Sequence, residues 1–280
     1  MVLEMSMNEN LQKYLDMGFE AVVIEDSKYE HGPRLITMQL RYPRFIHAEF
    51  MTHRMFSRNS SSSRAIPVKK VLSQVWNEPA LFVHWGENQA GMQAKKELSP
   101  FKQTITKFAW KTAAKVACIF AWGMMKIGVH KQIANRLLEP WQFMHVVVTA
   151  TEWDNFFSLR DHEDAQPEIH ALAQLMRNAI DNHECCVLKV GEWHLPYITG
   201  LERVSINPDT LIKMSVARCA RVSYLSHDGK RTSLEDDLLL YNRLVGAHPI
   251  HASPTEHQAQ VPSDENLALW FGNLRGWVQY

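Results

Sequence analysis

Residues 19–43 read FEAVVIEDSKYEHGPRLITMQLRYP, and this stretch limits the possible folds more than any other. Two runs rich in branched aliphatic residues flank Gly32-Pro33, and in the second Ile36, Met38 and Leu40 recur at every other position. A period of two belongs to a strand with one face on a core, and a Gly-Pro pair turns the chain between two such strands. The chain is committed to a sheet.

Helical patterns supply the rest. In AQPEIHALAQLMRNAIDNH, the residues Ile169, Leu172, Leu175, Met176 and Ile180 share one helical face. DTLIKMSVARCARVSYLS and LEDDLLLYNRLVGA read as two more helices, the first ending near Ser223. Residues 68–127 are helix-rich, with a loop near HWGENQAG. VHKQIANRLLEPW begins as a helix, passes Pro140 and runs into the β-branched segment FMHVVVTA. A short helix or extended stretch reaches Met51. HPIHASPTEHQAQVP reads as a loop, because its prolines block a helix.

Composition narrows the function classes. Thirty basic and thirty acidic residues cancel, which argues against a surface dominated by nucleic acid or anionic lipid. Cys118, Cys185, Cys186 and Cys219 lack C-x-x-C spacing, and the middle two are adjacent, so reduced thiols in a cytoplasmic protein are expected. The first twenty residues are mixed and polar, without a signal-peptide pattern. Ala113–Val129 is apolar but carries Lys115, Gly123 and Lys126; a buried helix is expected there rather than a membrane span. No repeat or domain boundary is visible, so 1–280 reads as one domain.

The segment EFMTHRMFSRNSSSSRAIP, residues 49–67, carries the chemistry. Four consecutive serines among arginines suit a solvated linker. They equally suit an anion site, in which small hydroxyls and backbone N–H groups approach phosphate oxygens and arginine forks neutralise them. The residues alone leave both readings open.

The spacing resembles a known signature. His53-Arg54-x-x-Ser57-x-Asn59-x-x-Ser62-x-Arg64 is similar to R-H-R-x-x-S-x-N-x-x-S-x-R of the flavin-dependent thymidylate synthases, with Thr52 in place of the first arginine. NRLLEP, 135–140, resembles A-R-x-x-L-P and puts Arg136 on a nucleotide-binding arginine. FFSLRDHEDAQPEIH, 156–170, resembles F-x-x-L-R-x-x-x-[HN]-A-x-x-E-I-R, with His170 where arginine is usual. ARVSY (220–224) with HASPTEH (251–257) resembles A-R-V-S-[YF] … H-x-[ST]-P-x-E-H, a block that precedes the H-R motif in most members. The displaced order implies a circular permutation, with 214–260 taking the place of the family's N-terminal segment. On this reading 214–260 packs against 45–65, Ser253 and Arg54 share a cleft, and 66–127 is a helical insertion.

The resemblance implies an α+β fold with a central, mainly antiparallel sheet flanked by helices. It also implies a homotetramer with shared sites, in which FAD carries a methylene from methylenetetrahydrofolate to C5 of dUMP and NADPH is the reductant. Arg54, Ser62 and Arg160 fall on catalytic positions. His53, Arg54, Asn59, Ser158, Arg160, Ser223 and Ser253 fall beside the flavin, and Glu49, Ser62, Ser63, Arg64, Arg136 and His170 beside the nucleotide. Each residue also has a plain role to be weighed. Ser223 would end a helix, Asn59 would cap a turn, His251 and His257 would brace their own loop, and Arg136 would be a surface arginine. His162, Glu163 and His170 lack H-E-x-x-H spacing, so no metal is expected. Thr52 and His170 remove guanidinium groups from the base end. A pyrimidine nucleoside monophosphate is therefore expected more firmly than dUMP itself, and hydroxymethylation of dUMP or dCMP is the variant reading. A non-catalytic nucleic-acid-binding protein is the alternative from another class.

Overall fold

The computed structural model describes residues 2–224, 232–246, 248–263 and 269–280, with backbone alone for 2–8 and Tyr224. Leu225, Ser226 and Ala247, included in the helical readings above, lie outside the described residues. Helix α1 (Val2–Asp16) turns into β1 (Glu20–Lys28) through Gly18, whose φ of 88° is left-handed and suits a residue without Cβ. The Gly32-Pro33 turn leads to β2 (Leu35–Pro43), which pairs antiparallel with β1 from Glu20↔Arg41 to Ser27↔Leu35.

After a 3-10 turn come α2 (His47–Phe50), β3 (Ser57–Ser60), α3 (Val68–Asn77) and α4 (Pro100–Lys126). Then follow α5 (Lys131–Ala134), a 3-10 stretch (Asn135–Trp141), β4 (Phe143–Ala150), α6 (Asp154–Arg160) and α7 (Pro167–Asp181). The last third holds β5 (Cys186–Val187), β6 (Trp193–His194), α8 (Gly200–Ser205), α9 (Pro208–Ala220) and α10 (Leu234–Leu244). A 3-10 turn (Ser253–His257), β7 (Ala259–Gln260), β8 (Trp270–Phe271), β9 (Leu274–Arg275) and β10 (Val278–Gln279) complete it.

The main sheet has the order β3-β4-β2-β1-β5, antiparallel except for the β1–β5 pair. Its centre is dry on both faces. Ile36, Met38, Leu40 and Tyr42 of β2, with Met144, Val146 and Val148 of β4, meet Ile169, Leu172 and Met176 of α7. Side chains alternate across a strand, so the other face carries Leu35, which packs on Val261 and Trp277, and Val147, which packs on Cys219 and Val222. Chain from beyond residue 210 thus covers the face opposite α7.

A buried polar ladder crosses that second face. Thr37 Oγ1 meets Thr149 Oγ1 at 2.6 Å and His194 Nε2 at 2.8 Å, while Thr149 Oγ1 meets His257 Nδ1 at 2.8 Å. His194 Nδ1 reaches Ser27 Oγ at 2.9 Å. These bonds satisfy polar groups that would otherwise be costly in a dry layer.

Two expectations need correcting. Ala113–Val129 is not a buried helix: α4 begins at Pro100 and buries only Ala114, Cys118 and Ala121. Those small residues let α3 pack closely through Val71 and Val75, while Phe101, Phe108, Phe120 and Ile127 stay exposed on the far side. HASPTEH is not all loop, since Pro254 enters at the first turn of the 3-10 segment, where its missing N–H costs nothing. Among the described residues no helix is long and apolar enough to cross a membrane.

Candidate active site

The H-R segment is shaped by an aromatic nest and one arginine. His53 is buried, edge-on to Phe156 at 4.9 Å and stacked on Phe56 at 5.9 Å. Its Nε2 accepts a hydrogen bond from Arg160 Nε at 2.9 Å, so the neutral ring holds its proton on Nδ1. Burial, reinforced by the Arg160 and Arg58 cations, pushes the imidazole down to about 4. Near neutral pH, His53 is an uncharged acceptor.

Arg160 ends α6 and is the hub of this cluster. Besides His53, its guanidinium donates to the Glu49 carboxylate in an ion pair and to Thr52 Oγ1 at 3.4 Å. The position without the family's arginine is therefore occupied by a hydroxyl that Arg160 itself engages. Arg54 and Ser158 are exposed, and neither side chain has a hydrogen-bond partner among the described residues. His170 stands apart on α7, its Nε2 3.4 Å from Asp161 Oδ1 and 3.0 Å from Gln174 Nε2.

The serine run is not a solvated linker. It begins as edge strand β3, where Asn59 pairs with Val147 and Ser60 with Val146. Ser61 N donates to His145 O at 2.7 Å, and its hydroxyl accepts from His145 N at 3.1 Å, which extends the pairing. The chain then turns at Ser62, whose carbonyl accepts from the N–H groups of Ala65 and Ile66.

Across this turn lies the segment distant in sequence. Asn59 Nδ2 donates to Cys219 O at 2.9 Å, and Asn59 Oδ1 accepts from Ser253 Oγ at 3.3 Å and Ser223 Oγ at 3.5 Å. Ser223 Oγ also lies 3.2 Å from Ser60 O, and Ser62 N donates to Ser223 O at 3.1 Å. The expected packing of 214–260 against 45–65 is present and runs through Asn59. Ser223 does close a helical turn, yet it also holds the serine loop.

A cleft of about 390 Å³ opens here, lined by Ser62, Arg64, His130, Ser223, His251 and Ser253 among others. Ser253 lines it and Arg54 does not, so this cleft is not one that the two residues share. The cleft faces the end of β3, whereas Arg54 sits in the turn before that strand.

Arg136 and His257 are each held by a neighbouring side chain. Arg136 is exposed and donates to Glu139 Oε1 at 2.7 Å, a carboxylate that also takes Arg44 at 3.0 Å and the Ser63 hydroxyl at 3.3 Å. The neighbouring Asn135, which sequence reasoning passed over, is fully buried and donates to Ser63 O at 2.7 Å and Ile66 O at 3.0 Å. It braces the serine turn from below. The signal was a short polar side chain directly after the apolar pair Ile133-Ala134 and two residues before Leu137-Leu138. His257, expected to brace its own loop, reaches Thr149 on β4 instead, and its Nε2 is buried without a partner among the described residues.

The family model described as "Thymidylate synthase complementing protein" matches residues 7–183. The match contains β1 to β4, the H-R segment, Arg136, Arg160 and the whole of α7. Among solved structures the chain is similar to a UMP/dUMP methylase, PolB, from Streptomyces cacaoi bound with 5-Br dUMP. The identity is 20%, the match covers 52% of this chain and 66% of that one, and the TM-score is 0.44. The same methylase bound with 5-Br UMP gives 22% identity, coverage of 52% and 68%, and a TM-score of 0.43. The chain thus spans about two thirds of the length of these structures. No curated protein matches it.

Proposed function

Because the chain belongs to the thymidylate synthase complementing protein family, the flavin-dependent thymidylate synthases, we propose that it transfers a one-carbon unit from methylenetetrahydrofolate to C5 of a pyrimidine deoxynucleotide, with dUMP to dTMP as the reaction. The observation that carries this reading is the wiring of the H-R signature. His53, Arg160 and Glu49 form one hydrogen-bonded group, and Asn59, Ser223 and Ser253 form another. A serine-arginine linker would need neither.

FAD fits the chemistry of these groups. Arg54 offers an unpaired guanidinium to a pyrophosphate or to the ring edge, and Ser158 an uncommitted hydroxyl. His53, Asn59, Ser223 and Ser253 complete the set. Bound there, FAD supplies the redox chemistry, with NADPH as the reductant. The protein's own part is positional and electrostatic. Glu49 and His53 hold the Arg160 fork in one orientation, so its charge is preorganised where negative charge develops on a reacting ring. Ser62 and Arg64 face the cleft, where a 5′-phosphate needs hydroxyl and cationic partners.

The same proposal includes a cytoplasmic homotetramer with sites built across subunits. It is supported by the separation of the two groups: one subunit's cleft lacks Arg54 and Arg160, and a neighbour would supply them. Circular permutation belongs here too, since 214–260 reaches the H-R segment through side-chain bonds rather than through chain continuity.

The test is optical. Purified protein should be yellow, and titration with dUMP or dCMP should perturb the flavin band, whereas deoxyuridine should do so only at far higher concentration. A colourless protein that takes up no FAD contradicts the reading.

A further inference from the structure

The open position of the H-R signature between Ser57 and Asn59 is filled by an arginine, to which no motif gives a task. Arg58 is half-buried on edge strand β3, where its backbone pairs with Val148. Its side chain reaches back along the chain. A single nitrogen, Nη1, donates to Met51 O at 2.9 Å and to His53 O at 3.1 Å. Each of these carbonyls closes an element. Met51 is the C-terminal cap of α2, and the carbonyls at a helix end lack partners within the helix and suit a cation. His53 O also accepts the Phe56 N–H at 3.3 Å, which closes a turn with Arg54 and Met55 at its tip.

That turn decides where Arg54 points. The Arg54 side chain is exposed and has no hydrogen-bond partner among the described residues, so its direction comes from the backbone that carries it. On either side of it the chain is tied. The His53 ring is held by Arg160, Phe56 and Phe156, and Thr52 donates to Glu49 O through both its N–H and its hydroxyl. The carbonyls of residues 51 and 53 are tied by Arg58. Methionine at position 58 would keep the β3–β4 pairing, which is made by backbone, and release both carbonyls.

We infer that Arg58 is a positioning residue: it straps the end of α2 to the turn from His53 to Phe56 and so aims Arg54 at the flavin. This rests on the flavin reading proposed above. Arg58 commits Nη1 to the backbone and acts on the cofactor through Arg54.

FAD titration of the full chain, followed by the flavin absorption band, tests it in Arg54→Ala, Arg58→Met, Arg58→Lys and the Arg54→Ala/Arg58→Met double variant. Arg58→Met should weaken FAD binding roughly tenfold, the loss of one charge-assisted contact made by Arg54. Arg58→Lys keeps a cation that can donate to both carbonyls and should recover most of that loss. The double variant should bind FAD as weakly as Arg54→Ala alone, because residues that act as one unit do not add. A merely structural role would multiply the two losses. The inference is overturned by unchanged FAD binding in Arg58→Met, by a loss there without one in Arg54→Ala, by losses that multiply, or by no gain of Arg58→Lys over Arg58→Met. Hydrogen exchange adds a readout that needs no cofactor. The His53 and Phe56 amides, bonded to Phe50 O and His53 O, should exchange faster in Arg58→Met while the amides of α7 keep the parent's rates. Parent rates at His53 and Phe56 would remove the strap. If the parent takes up no FAD and these two amides still quicken, the strap stands and the flavin reading falls; if neither is seen, both fall.

Discussion

Arg160 and Asn59 show how much of this site is decided by single side chains. Arg160 gathers Glu49, Thr52 and His53. In Arg160→Ala the Glu49 carboxylate and His53 Nε2 lose their shared donor, and bonds to charged groups contribute about 1.5–3 kcal/mol each. FAD retention in an equilibrium titration should fall at least roughly tenfold; retention equal to the parent's would remove Arg160 from the site. Arg54→Ala is expected to lower flavin affinity without lowering the melting temperature, because the side chain is exposed and unpaired. Asn59→Ala should do the opposite first. It strands the buried Cys219 O and removes the acceptor shared by the half-buried Ser223 and the exposed Ser253 hydroxyls, a cost of about 1–3 kcal/mol for the buried carbonyl, to be read from chemical denaturation.

The elements explain which parts of the fold could be read in advance. β2 and α7 were legible because each shows a clean period, two for Ile36–Met38–Leu40 and 3.6 for Ile169–Leu172–Met176, and one face of each meets the same core; β1 was legible from its branched aliphatic run before the Gly32-Pro33 turn. Leu172→Ala in that core should cost about 2–5 kcal/mol through a cavity between α7 and β2; a loss below about 1 kcal/mol would mean that the layer contact is misplaced. β3 was hidden because serines give no hydrophobic alternation; its strand character comes from pairing with β4. The exposed face of α4 was hidden for the reverse reason. Apolar residues all round a helix read as burial, whereas only the small residues Ala114, Cys118 and Ala121 are covered. Arg136 and Asn135 could not be separated by motif matching, because an offset of one residue exchanges a surface position for a buried one.

At the scale of the whole molecule, the sheet is closed by residues from the far end of the chain, and histidines do much of the joining. His47 and His53 are pushed down to about 4 and His257 to about 3, in each case first by burial; Arg44 and Arg58 add to the effect at His47, and Arg160 and Arg58 at His53. Unfolded histidine takes up its proton near pH ~6.5, whereas these wait until about 3 to 4. The unfolded chain therefore binds more protons across that window. Stability is complete above pH ~6.5 and is lost as the pH falls toward about 4. The denaturation midpoint should drop clearly between pH ~7 and pH ~5; equal midpoints would mean that these rings are solvated. The four blocks of the family signature were readable as separate strings, but their meeting at Asn59 was not, because no local pattern records that residues 219, 223 and 253 close on residue 59.

The central claim is one-carbon transfer to a pyrimidine nucleotide, and the mass of the product tests it most directly. Purified protein is incubated with FAD, NADPH, methylenetetrahydrofolate and dUMP, and the nucleotide is recovered for mass spectrometry. The account predicts a FAD-dependent gain of one CH2, the mass of dTMP, which disappears in Arg160→Ala. A gain of CH2O would move the reading to hydroxymethylation, and dUMP recovered unchanged, with dCMP unchanged in parallel, would contradict the claim.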